Sequence, residues 1–277
     1  MKLPTPDSFR SRRLGASLQH ALRLAAEGRF EEAETEARAV EAGARRLRPS
    51  GRRLAMTWYA RTTATAVACA HGRGTEVLAE MEALVTEMDG AAGSLRTLPL
   101  LVRNNRAAVL GWQGRYAEAE AEGDALLRDL SRLKHLAKVW RLELSVLDGL
   151  AEALCGLGRP EEAEAIARGN LPRAEDVEGA GAALHCTLVR SLNGQGRYAE
   201  ALAEARRTTP QWERGHAGKL DLVTAAALLG LDRREEAEAA ARQALAGCET
   251  HLHPSHPRRA EARALLARLT AGPGTAL

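Results

Sequence analysis

The chain has few aromatic residues and little lysine. Aromatic side chains make up 3% of its 277 residues, with two Phe and three Tyr, and lysine occurs only at positions 2, 134, 138 and 219. Strands favour aromatic and β-branched side chains, whereas Ala, Leu, Glu and Arg, which dominate here, favour helices. This composition excludes an all-β fold and argues against a parallel sheet.

Long apolar runs and paired cysteines are missing as well. No stretch approaches the roughly 18 uninterrupted apolar residues of a membrane span, and residues 1–15 lack the apolar core of a secretory signal. The four cysteines, Cys69, Cys155, Cys186 and Cys248, are far apart and form no Cys-x-x-Cys pair. We therefore expect a cytoplasmic protein with reduced thiols and no membrane partner.

The net charge of +3 is too small to predict a nucleic-acid partner. Arginines are nevertheless concentrated in the first fifth of the chain, at Arg10, Arg12 and Arg13 and again between Arg45 and Arg53. A solvated helix end and an interhelical loop explain these clusters, and a patch for an acidic partner or a nucleic acid is the alternative. We do not expect nucleic acid to be the partner.

A short pattern recurs six times along the chain. Its best-preserved copies are Gly114-Arg-Tyr-Ala-Glu-Ala119 and Gly196-Arg-Tyr-Ala-Glu-Ala201. The first residues of the copies, which we call the anchors, are spaced by 44, 42, 44, 38 and 36 residues. They are Gly28, Gly72, Gly114, Gly158, Gly196 and Asp232. A repeat of this length indicates an array of similar structural units rather than one central core.

Each copy predicts a helical hairpin. The anchor ends one helix in the left-handed conformation, which glycine adopts at little cost and aspartate tolerates better than most residues. The next helix begins within two residues, with a glutamate in its first turn and, at Pro160, a proline at its first position. An alanine four or five residues after the anchor lets the two helices approach closely. These alanines are Ala33, Ala119, Ala163, Ala201 and Ala237.

The Gly-x-Tyr/Phe-x-Glu-Ala signature resembles the tetratricopeptide repeat family, and the longer units resemble its kinesin-light-chain subtype. The resemblance covers about residues 10 to 270, although Gly74 stands where an aromatic residue is expected. It implies an all-α, right-handed superhelical solenoid of about six hairpins, closed by a capping helix over Arg258 to Leu269. We expect an N-terminal segment at 1–12, the solenoid at 13–270 and a flexible tail at 271–277.

The sequence carries no recognisable catalytic or cofactor motif. Cys248, His251, His253 and His256 are ligand types suited to zinc, but their spacing fits no structural zinc pattern. Neither GxSxG nor HExxH occurs, and the glycine pairs near the anchors do not follow strands as a phosphate-binding loop does. We expect no enzyme activity, no metal and no cofactor.

The resemblance implies that the first helix of each hairpin lines a concave groove. Counting back from the anchors, the polar residues that face this groove are Asn104, Asp148, Glu152, Arg190 and Asn193. The same count places Lys219 in the groove for the sixth unit. Asparagine both donates and accepts hydrogen bonds, which suits a peptide backbone. Mixed charge favours an extended peptide over nucleic acid, while a plain solvated face remains the alternative.

These features predict a non-enzymatic interaction module that binds a peptide or protein segment in its groove. The alternative is a sensor of a peptide or small ligand that switches a separate regulatory protein. Only about ten residues precede the first expected helix, so we expect no DNA-binding helix-turn-helix ahead of the repeats. Self-association through an exposed end repeat is a further possibility. The convex face and the Arg45–Arg53 loop are the competing surfaces.

Overall fold

A computed structural model describes residues 6–133, 139–174, 177, 179–207 and 217–271. These residues form α-helices with two short 3-10 turns, at Gly74–Val77 and Gly93–Thr97, and contain no strand. The helices are α1 (Pro6–Ala26), α2 (Phe30–Arg45), α3 (Gly51–His71), α4 (Leu78–Glu87), α5 (Leu98–Trp112), α6 (Tyr116–Arg132), α7 (Val139–Gly156), α8 (Pro160–Ala174), α9 (Ala180–Gly194), α10 (Tyr198–Arg207), α11 (Lys219–Gly230), α12 (Arg234–His251) and α13 (Pro257–Thr270). The all-α prediction is confirmed over this part of the chain.

The chain divides into two compact units, residues 1–109 and 110–277, and the division falls within α5. In unit 1, α2 packs against both α1 and α3, and α3 packs against α4. In unit 2, every helix from α6 to α13 packs against the next one, and α9 also lies beside α7 and α11. Along the chain, the described helices follow one another as the six pairs that the repeat pattern predicts, α1–α2 to α11–α12, and α13 comes after them.

All six anchors have the left-handed backbone that the sequence predicts. Their φ angles lie between 57° at Asp232 and 102° at Gly72, and Asp232 is the one described residue other than glycine with a positive φ. The residue after each anchor donates its N–H to the carbonyl five residues earlier, as Arg115 does to Leu110 and Arg233 to Leu228. This hydrogen bond is the signature of the Schellman helix cap. One local cap therefore ends the first helix of every hairpin.

The repeated alanines lie at the contacts between helices. Ala33, Ala163, Ala201 and Ala237 are fully buried and Ala119 is 5% exposed. In unit 2, Ala201 and Ala237 belong to a core that also contains Leu188, Leu192 and Leu228. Small side chains here let the helix backbones approach each other, so close packing explains the high alanine content.

An arginine follows every anchor and pairs with the glutamate three residues later. The six pairs are Arg29–Glu32, Arg73–Glu76, Arg115–Glu118, Arg159–Glu162, Arg197–Glu200 and Arg233–Glu236. Pairs with a glutamate of the preceding hairpin are also seen among the described residues, at Arg73–Glu34, Arg159–Glu120 and Arg197–Glu164. The arginine therefore links the start of one hairpin's second helix to its neighbour.

The first and last described helices can be compared with the predicted segment boundaries. Helix α1 begins at Pro6, inside the segment 1–12 that the sequence sets apart from the solenoid. At the other end, α13 stops at Thr270, and residues 272–277 of the predicted tail lie outside the described residues. Across the described ranges, no helix is both long and apolar enough to cross a membrane.

Candidate functional site

Charged side chains meet on the side of unit 2 formed by α7, α9, α11 and α13, which we call the first-helix face. Asp148 and Glu152 lie one turn apart on α7. Lys219, the first residue of α11, places its Nζ 2.7 Å from Glu152 Oε1 and 3.6 Å from Asp148 Oδ2. The Lys219 side chain is only 9% exposed. Two carboxylates from the fourth hairpin thus hold a buried ammonium of the sixth.

The helix between them, α9, contributes neutral polar groups. The Thr187 hydroxyl donates a hydrogen bond of 2.6 Å to Asp148 Oδ1. Six residues further along α9, Asn193 Nδ2 donates to the carbonyl oxygen of Val223 on α11, at 2.8 Å. The other amide atom of this residue, Asn193 Oδ1, is buried and accepts no hydrogen bond from any described residue. An acceptor of this kind suits an N–H group from outside the chain.

Helix α13 reaches the same face through its first turns. Glu261 accepts hydrogen bonds from Arg190 of α9, at 2.8 Å from Nη1 and 3.5 Å from Nη2. Arg258 donates through Nη1 to the carbonyl oxygen of Ala217, at 3.1 Å. The buried His256 caps α13 by accepting from the backbone N–H of Arg258, and its ring lies 5.6 Å from that of Trp112. The capping helix therefore takes part in the site.

The charges in this cluster stabilise one another. Burial by itself would raise the pKa of Glu152, but Lys219 and Arg190 outweigh it and hold that pKa below its ordinary value. Burial would likewise lower the pKa of Lys219, yet Asp148 and Glu152 raise it instead. Although the Glu152 side chain is 35% exposed, its Oε1 atom is buried against Lys219. Both groups are therefore charged at neutral pH.

The cysteines near this cluster are not activated. Burial raises the pKa of Cys155 and of Cys186 to about 11, so both are neutral thiols at neutral pH. In the C-terminal loop that carries the candidate zinc ligands, Cys248 Sγ donates to Ala217 O and His253 Nδ1 contacts Ser255. The described ranges hold no group of three or more His, Cys, Asp or Glu side chains placed to bind a metal ion.

The structure brings four of the five predicted site residues to one face. Asp148 and Glu152 share Lys219, Arg190 contributes to the field at Glu152, and Asn193 lies one turn beyond Arg190. The fifth, Asn104, is half-buried on α5 in unit 1. Asp148, Glu152, Arg190 and Asn193 are likewise half-buried.

Three residues of the cluster, Thr187, Arg258 and Glu261, are not among the predicted site residues. Lys219 has the register of a groove position but was not predicted as a site residue either. The signal for Lys219 was its register, together with the scarcity of lysine in this chain. No repeat signal could have placed Glu261, because the pattern ends before α13.

Comparisons with known proteins agree with this architecture. Residues 225–258 match a family model described as a tetratricopeptide repeat. A Rap protein complexed with Competence and Sporulation Factor is 15% identical over 93% of this chain and 71% of its own, with a TM-score of 0.64. PlcR of Bacillus thuringiensis, in complex with the peptide PapR7 and DNA, is 15% identical over 93% and 99%, with a TM-score of 0.56.

A putative kinesin light chain of Podospora anserina with nearly identical TPR-like repeats is 19% identical over 78% of this chain and 96% of its own, with a TM-score of 0.50. At such identities these similarities establish the fold. No match was found among curated proteins. The hairpins and these likenesses define a helical-hairpin solenoid. Within that fold, residues 225–258 match the tetratricopeptide repeat.

Proposed function

We propose that this protein is a non-enzymatic interaction module that binds a peptide or protein segment on the first-helix face of unit 2. The cluster around Lys219 carries the proposal, because hairpins four, five and six and the capping helix all contribute to it. An extended ligand that contacts this face touches several hairpins at once. The site would act in the cytoplasm, where the four unpaired cysteines stay reduced.

Two further observations support peptide binding over catalysis. The buried Asn193 Oδ1 suits the N–H donors that a peptide backbone supplies along its length. The thiols of Cys155 and Cys186 are protonated at neutral pH, which disfavours a nucleophilic role. The complex of PlcR with a peptide gives a precedent for this fold.

A second candidate function is regulation, in which the bound peptide switches a separate signalling or transcription partner. The observation that favours it is the position of α13, whose Glu261 holds Arg190 of α9. A ligand at this face would disturb a contact between two elements far apart in sequence. PlcR, whose fold is similar, is in complex with both a peptide and DNA, so this fold occurs in a protein that binds a peptide together with a second macromolecule.

Peptide retention tests the proposal directly. The full chain is equilibrated with a pool of random heptapeptides, and retained peptides are identified by mass spectrometry. We expect a defined subset to be retained, and Asn193→Ala to weaken the best peptide by about 1–3 kcal/mol, because a buried polar contact is lost. Gln243→Ala is the matched control, since this exposed amide lies on α12. If no peptide is retained, the proposal is wrong.

The regulatory candidate needs a different readout. The tagged chain is purified from its native host with and without the selected peptide. A protein that co-purifies in stoichiometric amount, and that dissociates from the chain or binds to it when the peptide is added, supports regulation. A protein partner that is indifferent to the peptide supports the simple adaptor, whereas a homo-oligomer alone supports self-association.

A further inference from the structure

The two arginine clusters of the first fifth of the chain contain no acidic residue. Together, Arg10 to Arg13 and Arg45 to Arg53 hold eight arginines. The nearest acidic residues in the sequence are Asp7 and Glu41, and residues 8–26 and 42–75 contain no Asp or Glu. Each cluster therefore carries charge of one sign.

Packing within unit 1 brings the two clusters together. Leu14 of α1 lies against Gly43 of α2, where a Cβ atom would come within 2.6 Å of Leu14 Cδ2. Leu14 and Met56 of α3 also pack against the same small core. Every arginine of the two clusters lies no more than five residues from one of these three contacts. The start of α1, the end of α2 and the start of α3 thus meet at one end of unit 1, which we call the basic end.

Most of the arginines at the basic end are free to meet a partner. Five of them are exposed, and their side chains make no ion pair or hydrogen bond with any residue that the structure describes. These five are Arg10, Arg12, Arg13, Arg46 and Arg52. The other three are already engaged, because Arg45 pairs with Glu41, Arg53 donates to the carbonyl oxygen of Leu47, and Arg48 has an interaction within the chain.

Neighbouring carboxylates do not neutralise the five exposed arginines. Glu41 pairs with Arg45 at 2.7 Å and is shared with two further arginines. Glu87, at the end of α4, pairs with Arg61 at 2.6 Å. Arg61 lies nine residues after Arg52 on α3, and this separation along the helix is roughly 14 Å. It exceeds the Debye length of about 8 Å at physiological ionic strength.

A surface of this kind suits the backbone of a nucleic acid. The backbone carries one negative charge at every phosphate, at regular spacing, and an arginine fork matches the oxygens of a phosphate. The first-helix face of unit 2, by contrast, mixes carboxylates with cations. Unmixed positive charge, which that face does not offer, is found at the basic end.

Two other polyanions fit the basic end less well. A protein that lies on an anionic membrane combines charge with inserted apolar side chains. Among the described residues, Leu54 is the large apolar side chain exposed beside these arginines, at 49%, whereas the exposed Leu22 lies eight residues beyond Leu14 on α1. An acidic protein segment must order one flexible side chain for every charge that it supplies.

We infer that the basic end of unit 1 binds the phosphate backbone of a nucleic acid without reading its sequence. The exposed arginines contact phosphates, so the affinity depends on salt and not on the bases. This binding uses residues different from those of the proposed peptide site on unit 2. It would replace the expectation, taken from the net charge of +3, that nucleic acid is not a partner.

Fluorescence anisotropy of the full chain tests the inference. The probes are a labelled oligothymidine and two labelled DNA duplexes of unrelated sequence, each titrated at a series of salt concentrations. We expect both duplexes to bind equally, with a Kd on the order of 10⁻⁵ M at physiological salt. The logarithm of the association constant should fall against that of the salt concentration with a slope of about −3 to −4.5. Absence of binding, or binding without this dependence on salt, overturns the inference.

Paired substitutions then locate the binding surface. Arg46→Gln with Arg52→Gln, and separately Arg10→Gln with Arg13→Gln, should each weaken duplex binding about tenfold and make the salt slope shallower by about two. Urea unfolding shows whether each variant keeps its fold. Unchanged duplex binding by both folded variants overturns the inference.

The matched control is Arg23→Gln with Arg128→Gln. It removes the same charge from exposed arginines at the other end of α1 and on α6, which make no ion pair with a described residue. We expect this control to bind the duplex within about twofold of the wild-type protein. If it weakens binding as much as the Arg46 and Arg52 pair does, the effect is one of net charge and the inference is wrong.

Two further probes separate the kinds of polyanion. Vesicles of phosphatidylglycerol and polyglutamate are titrated at the same ionic strength as the duplexes. Weaker binding of both supports the assignment to nucleic acid, whereas equal or tighter binding of either overturns it. Retention of peptides should be unchanged in the Arg46 and Arg52 variant, so the failure of this inference is distinguishable from failure of the proposed peptide binding.

Discussion

Arg61 in unit 1 and Lys219 in unit 2 both have largely buried side chains, and they differ in where their closest partners come from. In unit 1, Arg61 on α3 is 10% exposed and contacts Glu87 at 2.6 Å and Glu80 at 3.3 Å on α4 of the same hairpin, with Glu41 of α2 further away at 3.9 Å. In unit 2, Lys219 is 9% exposed and contacts carboxylates of α7, which belongs to a hairpin two repeats earlier. The two cations are equally buried, but the closest partners of Arg61 lie in its own hairpin and those of Lys219 lie two repeats earlier.

The difference shows which buried charges hold a repeat together and which create a site. Glu80 keeps a second cation if Arg61 is lost, because Arg38 also pairs with it at 2.7 Å. Glu152 and Asp148 share Lys219 as their close cation. A redundant network stabilises the packing of neighbouring helices, whereas the shared lysine makes the first-helix face of unit 2 depend on one side chain.

The largest effect is expected from removing these two cations. Lys219→Met leaves two carboxylates without their close counter-charge, and we expect the free energy of unfolding to fall by about 2–4 kcal/mol. Arg61→Met leaves Glu80 paired with Arg38 and Glu87 half-exposed, so a fall of about 1–2 kcal/mol is expected. Urea unfolding followed by circular dichroism measures both.

A compensating change sharpens this test. Glu152→Gln in the Lys219→Met background removes one unpaired charge and is expected to restore part of the lost stability. An Arg61→Met protein that is less stable than Lys219→Met would contradict the contrast between the two units.

Acid should act on the same carboxylate. The folded-state pKa of Glu152 lies below its ordinary value of 4.5. The ionised side chain therefore contributes fully to the free energy of unfolding above pH 4.5, and this contribution is lost as the pH falls through the folded-state pKa. Glu152→Gln is therefore expected to make the free energy of unfolding less dependent on pH below about 4.5, by about 1–2 kcal/mol after allowance for its exposure.

Exposed Glu118 provides the comparison for this pH dependence. Its hydrogen bond with Arg115 also lowers its pKa, but in full contact with solvent. In unfolding curves measured at a series of pH values, Glu118→Gln should show the same dependence of the free energy of unfolding on pH as the wild-type protein. A Glu152→Gln protein with the wild-type acid slope would show that the buried pair does not couple to folding.

The sequence predicts the hairpins well because their signals are local. Asp232 takes the left-handed conformation of the glycine anchors, since the cap that follows it is made by neighbouring residues. The cluster around Lys219 could be predicted only in part. Register places Asp148 and Lys219 on the same face, but their contact depends on how successive hairpins pack, which no local pattern encodes.

The first helix and the arginine pairs also show how far local sequence patterns predict the structure. Helix α1 begins at Pro6, a residue type that is favoured in the first turn, although the repeat pattern itself starts later. The arginine after each anchor was visible in every copy of the repeat. Its second partner, such as Glu34 for Arg73, lies in another hairpin and appears only in the folded chain.

The smallest effect is expected where an arginine pair lies at the surface. Arg73 of unit 1 is 24% exposed and joins Glu34 of the preceding hairpin as well as Glu76. Among the described residues, Arg233 of unit 2 pairs with Glu236, and it is 36% exposed. Because Arg73 connects two hairpins, whereas the described partner of Arg233 lies in its own hairpin, Arg73→Ala should lower the free energy of unfolding by about 0.5–1 kcal/mol and Arg233→Ala should leave the urea midpoint unchanged. If Arg233→Ala shifts the urea midpoint as much as Arg73→Ala does, the arginine–glutamate pair at the helix start stabilises the hairpin by itself. The contact between neighbouring hairpins would then account for no difference in stability between the two arginines.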